Sequence, residues 1–220
     1  LGGQMALTAD RTATHLRRVG TGKGPAVQTL RAHVCKAAYP AEMQRLFEDE
    51  PNLTVIEARV ETVLERNGRV VGVRIADGEA AFDLGAGAVV LTTGTFLNGL
   101  CHEGTKQTAA ARQGDAAVVG LSAFLRDLGV RLRRFKTGTT PRVALSSLKL
   151  DSIEILESEP EAGALSFLHD RLDPGRELYG CWQTRTARRT HDLLKERLHE
   201  SAMYAGRIEG VGPRYCPSIE

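Results

Sequence analysis

The sequence predicts an α/β protein with a parallel sheet, an antiparallel β-meander and an inserted α/β module. Three observations lead to this prediction. Apolar, β-branched runs flank Asn67-Gly68, a dipeptide typical of two-residue hairpin turns. A continuous apolar run, Ala88 to Leu91, is typical of a strand covered on both faces. An acidic stretch from Asp151 to Glu161, followed by Pro174-Gly175, indicates a module with its own connections.

Length and composition restrict the class of protein. The chain has 220 residues, enough to bury a sizeable core in one or two domains. Its hydrophobic fraction of 42% and charged fraction of 25% are typical of a soluble globular protein. No apolar run approaches the roughly 18 residues of a membrane helix, and the basic N-terminal segment is unlike a signal peptide, so we expect no membrane partner. Because the chain opens with Leu-Gly-Gly rather than Met, we expect an internal fragment.

The cysteines and histidines argue against a metal site. Cys35, Cys101, Cys181 and Cys216 are widely scattered and form no C-x-x-C pair, which disfavours both a zinc site and a disulfide framework. A reduced, cytosolic setting fits this usage best. Cys101 and His102 are sequence neighbours, whose side chains usually point apart, so we interpret them as structural. We predict no metal.

Charge is segregated along a chain whose net charge is only +2. An acidic stretch separates two basic clusters. The first cluster contains Arg126, Arg131, Arg133, Arg134, Lys136 and Arg142, the second Arg185, Arg188, Arg189, Lys195 and Arg197, and the acidic stretch Asp151, Glu154, Glu157, Glu159 and Glu161. Basic stretches of this kind suit a polyanionic partner that touches one face. Solvent-exposed faces of helices and strands without a binding role would have the same charges, and both interpretations stay open.

The N-terminal part contains a glycine-rich segment and a helical one. T-G-K-G-P at 21–25 has no apolar strand before it, so it fails the context of a dinucleotide or phosphate-binding loop, and we predict an ordinary loop. In the segment from Tyr39 to Glu50, three apolar residues share one helical face and Pro51 ends it, which predicts a helix. The apolar residues are Met43, Leu46 and Phe47.

The middle of the chain changes to a strand pattern. Residues 53–59, 61–66 and 69–76 are rich in Val, Ile and Thr and are predicted strands, with a second turn at Asp77-Gly78. The apolar run 88–91 then opens into Thr92-Thr93-Gly94-Thr95. Ligands of open α/β sheets lie beyond the carboxyl ends of such strands, where a glycine permits close backbone approach. A plain exit from a strand explains the same letters.

The remaining elements are two helices and a loop. Leu121, Phe124, Leu125 and Leu128 have helical spacing and Gly129 is a plausible C-terminal stop. A last helix is predicted over 188–199, with three leucines facing inward. The inward residues are Leu193, Leu194 and Leu198. The segment 136–142 between the two helices is rich in donors and either binds phosphate or is simply a turn that leaves a strand.

The C-terminal run, G-V-G-P-R-Y-C-P-S-I-E at 210–220, contains the most informative residue. Arg214 lies two residues before Cys216, and a nearby positive charge favours the reactive thiolate. The glycines and prolines predict a tight irregular loop, and loops of this kind often carry function. The alternative is a buried cysteine in a connecting turn.

These segments, taken together, resemble one known family. The matching stretches are LGGQMA, KGPAV followed by LRA, PNL, RVVGV, VVLTTGTFLNG, RFKTGTTPR, THDLL and SAMYAGRIEGVGPRYCPSIE. Over essentially all 220 residues the sequence is similar to the MnmG (GidA) family of tRNA-modifying flavoproteins. The related folate-dependent tRNA uridine methyltransferases share the general layout but lie further away, because the C-terminal run follows the MnmG form.

The resemblance implies a reaction, cofactors and partners. The family adds a carboxymethylaminomethyl or aminomethyl group to C5 of the wobble uridine of tRNA, with FAD, NADH and methylene-tetrahydrofolate as carbon donor. Its members are cytoplasmic homodimers that work with the GTPase MnmE. The implied fold is a partial glutathione-reductase-like FAD domain, made of a parallel sheet plus an antiparallel β-meander, with an inserted α/β domain. The implied domains are 1–135, FAD-binding; 136–205, NADH-related; and 206–220, a return loop to the FAD domain.

The resemblance also implies site residues. Cys216 matches one of two cysteines thought important in the family, and Val60 matches a position that contacts FAD, mainly through its backbone. Gly94 and Thr95 match the strand exit near the flavin, while Lys136 and Arg142 match the donor-rich loop that we predict to bind substrate phosphate. The nicotinamide segment corresponds to Gly212, Pro213, Arg214, Tyr215, Cys216, Pro217, Ser218, Ile219 and Glu220.

Three departures from the family pattern limit how far the family's site residues can be assigned to this sequence. The glycine-rich loop for the FAD pyrophosphate would precede Leu1, so we expect little bound FAD and no activity from these residues alone. A further position at which the family contacts FAD, often through a serine, falls near Val118, where a backbone contact could survive but a hydroxyl contact could not. Thr186-Ala187 replaces a common Thr-Asn pair. The alternative to an enzyme is an inactive module that binds tRNA or protein.

Overall fold

The computed structural model describes residues 3–77, 80–140 and 142–208. The helices are α1 (Gln4–Thr12), α2 (Ala38–Glu48), α3 (Gly120–Asp127) and α4 (Arg188–Glu196). The strands are β1 (Ala13–Val19), β2 (Thr29–Val34), β3 (Arg59–Arg66), β4 (Arg69–Asp77), β5 (Ala80–Gly85), β6 (Cys101–Glu103), β7 (Lys106–Thr108), β8 (Ala110–Arg112), β9 (Asp115–Ala116), β10 (Glu154–Leu156) and β11 (Cys181–Gln183).

The chain divides into two compact units. The first unit consists of Leu1–Val55 and Val143–Arg185, and the second of Ile56–Arg142 and Thr186–Glu220. The domains expected from the family resemblance, 1–135, 136–205 and 206–220, stay a prediction.

The core of the first unit forms around the antiparallel pair β1–β2. Leu16 of β1 lies opposite Ala32 of β2, and Leu16 is fully buried. It forms the core with Ala13 and Leu172, so the segment beyond residue 143 contributes directly to this packing. The second ribbon of the unit pairs β10 with β11, also antiparallel.

The glycine-rich segment at 21–25 connects β1 to β2. We predicted that no apolar strand precedes it, and β1 does precede it as a strand that is not continuously apolar. His15, Arg17 and Arg18 interrupt its apolar pattern, and pairing with β2 stabilises the strand instead. The connection is nevertheless a loop of two short 3-10 turns that leads to a strand, not to a helix. A side chain at Gly20 would lie 2.3 Å from the carbonyl oxygen of Val27, at a positive φ of 76°.

The helix predicted over 39–50 is confirmed as α2. It packs on α1, where Thr8 Oγ1 lies 3.3 Å from the Met43 sulfur. Glu42 of α2 accepts hydrogen bonds from Arg45 of its own helix and from Arg11 of α1, at 3.0 Å and 2.6 Å. These two hydrogen bonds, that of Arg45 first, lower the pKa of Glu42 to about 2.

The acidic stretch predicted as part of an inserted module packs against β1. The Glu159 amide donates to the Leu16 carbonyl at 2.8 Å, and the Leu16 amide donates to Ser158 Oγ at 2.8 Å. Glu159 also forms an ion pair with Arg17 at 3.3 Å. The stretch has no basic residue of its own, so a strand about 140 positions earlier supplies the compensating charge.

The second unit contains the predicted antiparallel meander, with the strand order β3-β4-β5. The hairpin at Asn67-Gly68 is confirmed: both residues have positive φ, 54° and 74°, as a type I′ turn requires. The prediction of a strand over 53–59 is wrong, because residues 53–58 form no ladder and Val55 and Ile56 are exposed. The third strand is β5, which pairs with β4 and is joined to it by an Arg74–Asp83 ion pair.

The apolar run Ala88 to Leu91 does not form the expected strand. Val90 is 84% exposed, and no described residue pairs with this run. A β-strand is stabilised by backbone hydrogen bonds to a neighbouring strand, so an apolar sequence without such a neighbour does not form one. Every strand pair in residues 3–77, 80–140 and 142–208 is antiparallel. The parallel sheet and the FAD-domain description therefore stay predictions.

Both later helices are confirmed as elements. In α3, Leu121 is buried, and Gly129 ends the helix at φ 79° with its amide bonded to the Arg126 carbonyl at 2.8 Å. The inward orientation predicted for Leu193 of α4 is wrong, because Leu193 is exposed; Leu198, also predicted to face inward, is exposed and lies beyond the end of the helix at Glu196. Within the described part of the chain, no helix is long and apolar enough to cross a bilayer.

Candidate functional site

The predicted strand exit is an ordered turn in the second unit. The Phe96 amide donates to the Thr93 carbonyl at 3.0 Å, and the Gly99 amide donates to the Phe96 carbonyl at 3.3 Å. Gly94 has a φ of 54°, in the region that glycine adopts without strain. Gly94 and Thr95 are not buried, so their backbone is accessible to a ligand.

Val118 is joined to this turn. Its amide donates to the Phe96 carbonyl at 2.8 Å, and its carbonyl accepts the Asn98 amide at 2.9 Å. Both backbone groups of Val118 are thus already hydrogen-bonded within the turn. A backbone contact from Val118 to a ligand could therefore use only the second lone pair of its carbonyl oxygen. The valine occupies a position where its backbone already fixes the turn.

Val60 lies at the start of β3, beside an irregularity in the ladder. The register with β4 shifts between Val60 and Thr62, which leaves Glu61 out of the regular pairing. Gly120 packs on this point, because a side chain there would lie 2.7 Å from the Glu61 carbonyl oxygen. Residues 60–61, 93–99 and 118–120 are therefore connected, and we refer to them as the strand-exit cluster.

The donor-rich loop is confirmed as irregular backbone at the described positions 136–140 and 142. Lys136 is half-buried and Arg142 is exposed. Arg134, two residues before Lys136, donates to the Asn98 carbonyl at 3.1 Å, which ties the first basic cluster to the strand-exit cluster. A phosphate-binding role of Lys136 and Arg142 stays a prediction.

The two basic clusters differ in how their charge is compensated. In the second, Arg188 pairs with Asp192 at 3.1 Å and Arg197 pairs with Glu200 at 2.8 Å. In the first, Arg131 and Arg133 are exposed and form no ion pair with any residue that the structure describes. The first cluster therefore has charge available for an anion.

Cys216 and the nicotinamide segment from Gly212 to Glu220 lie outside the described residues, so their roles stay predictions. Cys101 donates to the Ala110 carbonyl at 3.5 Å, in agreement with a structural role. Among the described residues, no three His, Cys, Asp or Glu side chains form a group that would hold a metal ion.

Sequence reasoning missed a cleft in the first unit. It is lined by His15, Arg17, Val19, Gly20, Arg31, His33, Glu154, Leu156, Cys181 and Gln183. No sequence pattern indicated it, because the apolar residues of β1 (Ala13, Leu16 and Val19) are three apart and lack the alternation typical of a half-buried strand. The two walls of the cleft are far apart in sequence, and only the fold brings them together.

The elements described above define a mixed α/β protein with antiparallel sheets. The sequence model of one family, described as glucose inhibited division protein A (GIDA), matches residues 1–220. The chain therefore belongs to the GIDA family.

Curated relatives carry a more specific name. The tRNA uridine 5-carboxymethylaminomethyl modification enzyme MnmG of Heliobacterium modesticaldum is 46% identical over the whole chain, and that of Streptococcus mutans is 39% identical. The chain spans 34% of the length of each, about a third. Among solved structures, Aquifex aeolicus GidA in its form I crystal matches the whole chain with a TM-score of 0.85 at 36% identity and is covered over 37% of its length.

Proposed function

We propose that the protein containing this chain modifies tRNA, adding a carboxymethylaminomethyl or aminomethyl group to C5 of the wobble uridine. The observation that carries this proposal is the family match over the full chain, with relatives named for that modification. The proposed partners are tRNA, the GTPase MnmE and a second copy of the protein, in the cytoplasm. The proposed cofactors are FAD and NADH, with methylene-tetrahydrofolate as the carbon donor.

The strand-exit cluster fits a flavin. Gly94 has no side chain and adopts a left-handed conformation at an accessible position, which allows a planar ring system to approach the backbone. The irregular pairing beside Val60 provides backbone groups outside the ladder, as a backbone contact to FAD requires. If bound, FAD would supply the redox chemistry, and these residues would hold it.

For the uridine, we propose that Cys216 acts as a thiolate. Its sulfur adds to C6 of uracil, the C5–C6 double bond breaks, and its electron pair makes C5 nucleophilic. C5 then bonds to the methylene carbon of the folate donor, and a carbon–nitrogen bond of the donor breaks with its electron pair staying on nitrogen. Loss of the C5 proton and expulsion of the sulfur then restore the double bond. Arg214 favours the thiolate by its charge. A proton-transfer or structural role of the thiol is the alternative.

Cys216→Ser in the full-length protein tests this role. We expect the modified wobble uridine to disappear from tRNA, because serine is a much weaker nucleophile. Nucleoside mass spectrometry measures the product, and tRNA that contains 5-fluorouridine would trap the covalent adduct. Cys101→Ser is the matched control, since that thiol bonds only to a backbone carbonyl. Unchanged modification by the Cys216 variant would exclude thiolate attack.

A second candidate is a module that binds tRNA, or a protein, without catalysis. The exposed Arg131 and Arg133 favour it, because their charge is uncompensated by described residues. Binding through phosphates weakens steeply with salt. Flavin absorbance of the purified full-length protein separates the candidates: bound FAD supports the modifying enzyme or the related folate-dependent methyltransferase, and its absence supports the module.

A further inference from the structure

The β1–β2 ribbon has two chemically different faces. Successive side chains of a strand point to opposite faces. Leu16 and its cross-strand partner Ala32 point into the core. The residues that flank them in sequence therefore point away from the core, into the cleft between this ribbon and the β10–β11 ribbon.

This outer face concentrates positive charge. Arg17 lies directly opposite Arg31, and His15 lies directly opposite His33, with the two imidazole rings 5.2 Å apart. Like charges placed directly opposite in a ladder destabilise the pair. The pKa of His33 is lowered, by burial first and then by the charges of Arg31 and His15. An anion bound on the outer face, between the side chains of Arg17 and Arg31, would reduce the repulsion between them.

The two guanidinium groups differ in their partners. Arg17 forms the ion pair with Glu159 described above, so part of its charge is compensated. Arg31 is exposed, and its guanidinium makes neither a hydrogen bond nor an ion pair with any described residue. Arg31 lines the cleft, so the five N–H donors of its guanidinium are available to an anion there.

The opposite wall adds one donor and one opposing charge. Gln183 of β11 contributes a side-chain amide, and its strand partner Glu154 contributes the one carboxylate among the lining residues described. Two further lining residues contact each other, with the Cys181 sulfur 3.6 Å from Nδ1 of His33. The cleft has a volume of about 560 Å³, in the range of small-ligand sites.

We propose that this cleft binds a phosphoryl group, with Arg31 as the principal donor and Arg17 opposite it. A planar guanidinium matches two phosphate oxygens at once, and two such groups facing each other suit a tetrahedral anion. The phosphoryl group belongs either to an RNA backbone or to a free nucleotide. The RNA source rests on the proposed function, whereas the phosphoryl site itself does not.

The experiment measures binding of a fluorescent single-stranded RNA and of AMP to the full-length protein that contains this chain and to its variants. We expect Arg31→Gln to weaken binding about tenfold, the usual loss for a charge-assisted hydrogen bond. The slope of log K against log salt should fall by about 0.7 for RNA, one phosphate contact. Arg31→Lys should restore part of the affinity, because it keeps the charge but loses the fork.

Two further variants distinguish the loss of a binding contact from a loss of affinity caused by misfolding. Glu154→Gln removes the opposing carboxylate and should strengthen binding severalfold, a gain that a damaged fold would not give. Arg69→Gln, an exposed arginine of the second unit, is the matched control and should bind like the original chain.

The outcomes separate the two sources. If AMP competes with RNA and the binding of both depends on Arg31, the ligand is a nucleotide. If RNA binding depends on Arg31 but AMP does not compete with it, the ligand is the RNA backbone. Equal affinity of the Arg31→Gln and Arg69→Gln variants for both probes would overturn the proposal. Arg31-dependent AMP binding would support it even if the wobble uridine proved unmodified.

Discussion

At the scale of single residues, Asp10 shows how one buried carboxylate joins distant segments. Asp10 lies on α1 and is 4% exposed. Its two oxygens accept the amides of Leu165 and Ser166 at 2.9 Å and 2.8 Å, and His169 Nε2 lies 3.1 Å away. Because those partners are more than 150 positions later in sequence, Asp10 holds the 165–169 loop against the first helix.

Asp10→Ala should lower the free energy of unfolding by about 3 kcal/mol, because two amides, one buried and one half-buried, lose a charged acceptor. Urea denaturation measures this change. His169→Ala is the matched control: its imidazole is 36% exposed in the side chain, so its loss should cost less than about 1 kcal/mol. Similar stability of the two variants would contradict the role given to Asp10.

At the scale of elements, the contact between α1 and α2 depends on one carboxylate with two arginines. Glu42 bonds Arg11 across the interface and Arg45 within its own helix. The folded-state pKa of Glu42, about 2, lies below the ordinary value of 4.5. A depressed carboxylate pKa stabilises the fold fully above the unfolded pKa, and this contribution disappears as pH falls through the folded pKa.

Glu42→Gln should therefore lower the melting temperature at pH 7 and have a progressively smaller effect as pH falls from about 4.5 to about 2, where the original carboxylate is itself protonated. Thermal unfolding followed by circular dichroism between pH 2 and pH 7 checks this. Glu48→Gln, on the same helix and bonded only to Gln44, is the control. A difference in melting temperature between the original chain and the Glu42→Gln variant that stays constant over this pH range would refute the assignment.

Elements with strong local signals were predictable from the sequence, and elements that depend on distant partners were not. Asn67, Gly68 and Gly129 adopt a positive φ, which these residue types tolerate, so the hairpin turn and the end of α3 could be predicted from the sequence. By contrast, β5 forms by pairing with β4, although its sequence lacks β-branched residues. The run Ala88 to Leu91 shows the reverse case, in which an apolar pattern finds no described partner strand.

At the scale of the whole molecule, the two units contribute different sites. In the second unit, the strand-exit cluster unites positions near Val60, Gly94 and Val118 that the family resemblance had placed beside a flavin. The cleft in the first unit was out of reach of sequence patterns, because Arg17 and Arg31 face each other only through the register of the ribbon. The strand-exit cluster belongs to the proposed reaction on tRNA, whereas the phosphoryl site in the cleft is a separate proposal that does not depend on that reaction.

The most direct measurement is nucleoside mass spectrometry of tRNA from the source organism after disruption of the gene that encodes this chain. The proposed function predicts that the carboxymethylaminomethyl and aminomethyl groups at C5 of wobble uridine disappear, and that the intact gene restores them. Unaltered wobble uridine modification in the disrupted strain would contradict it.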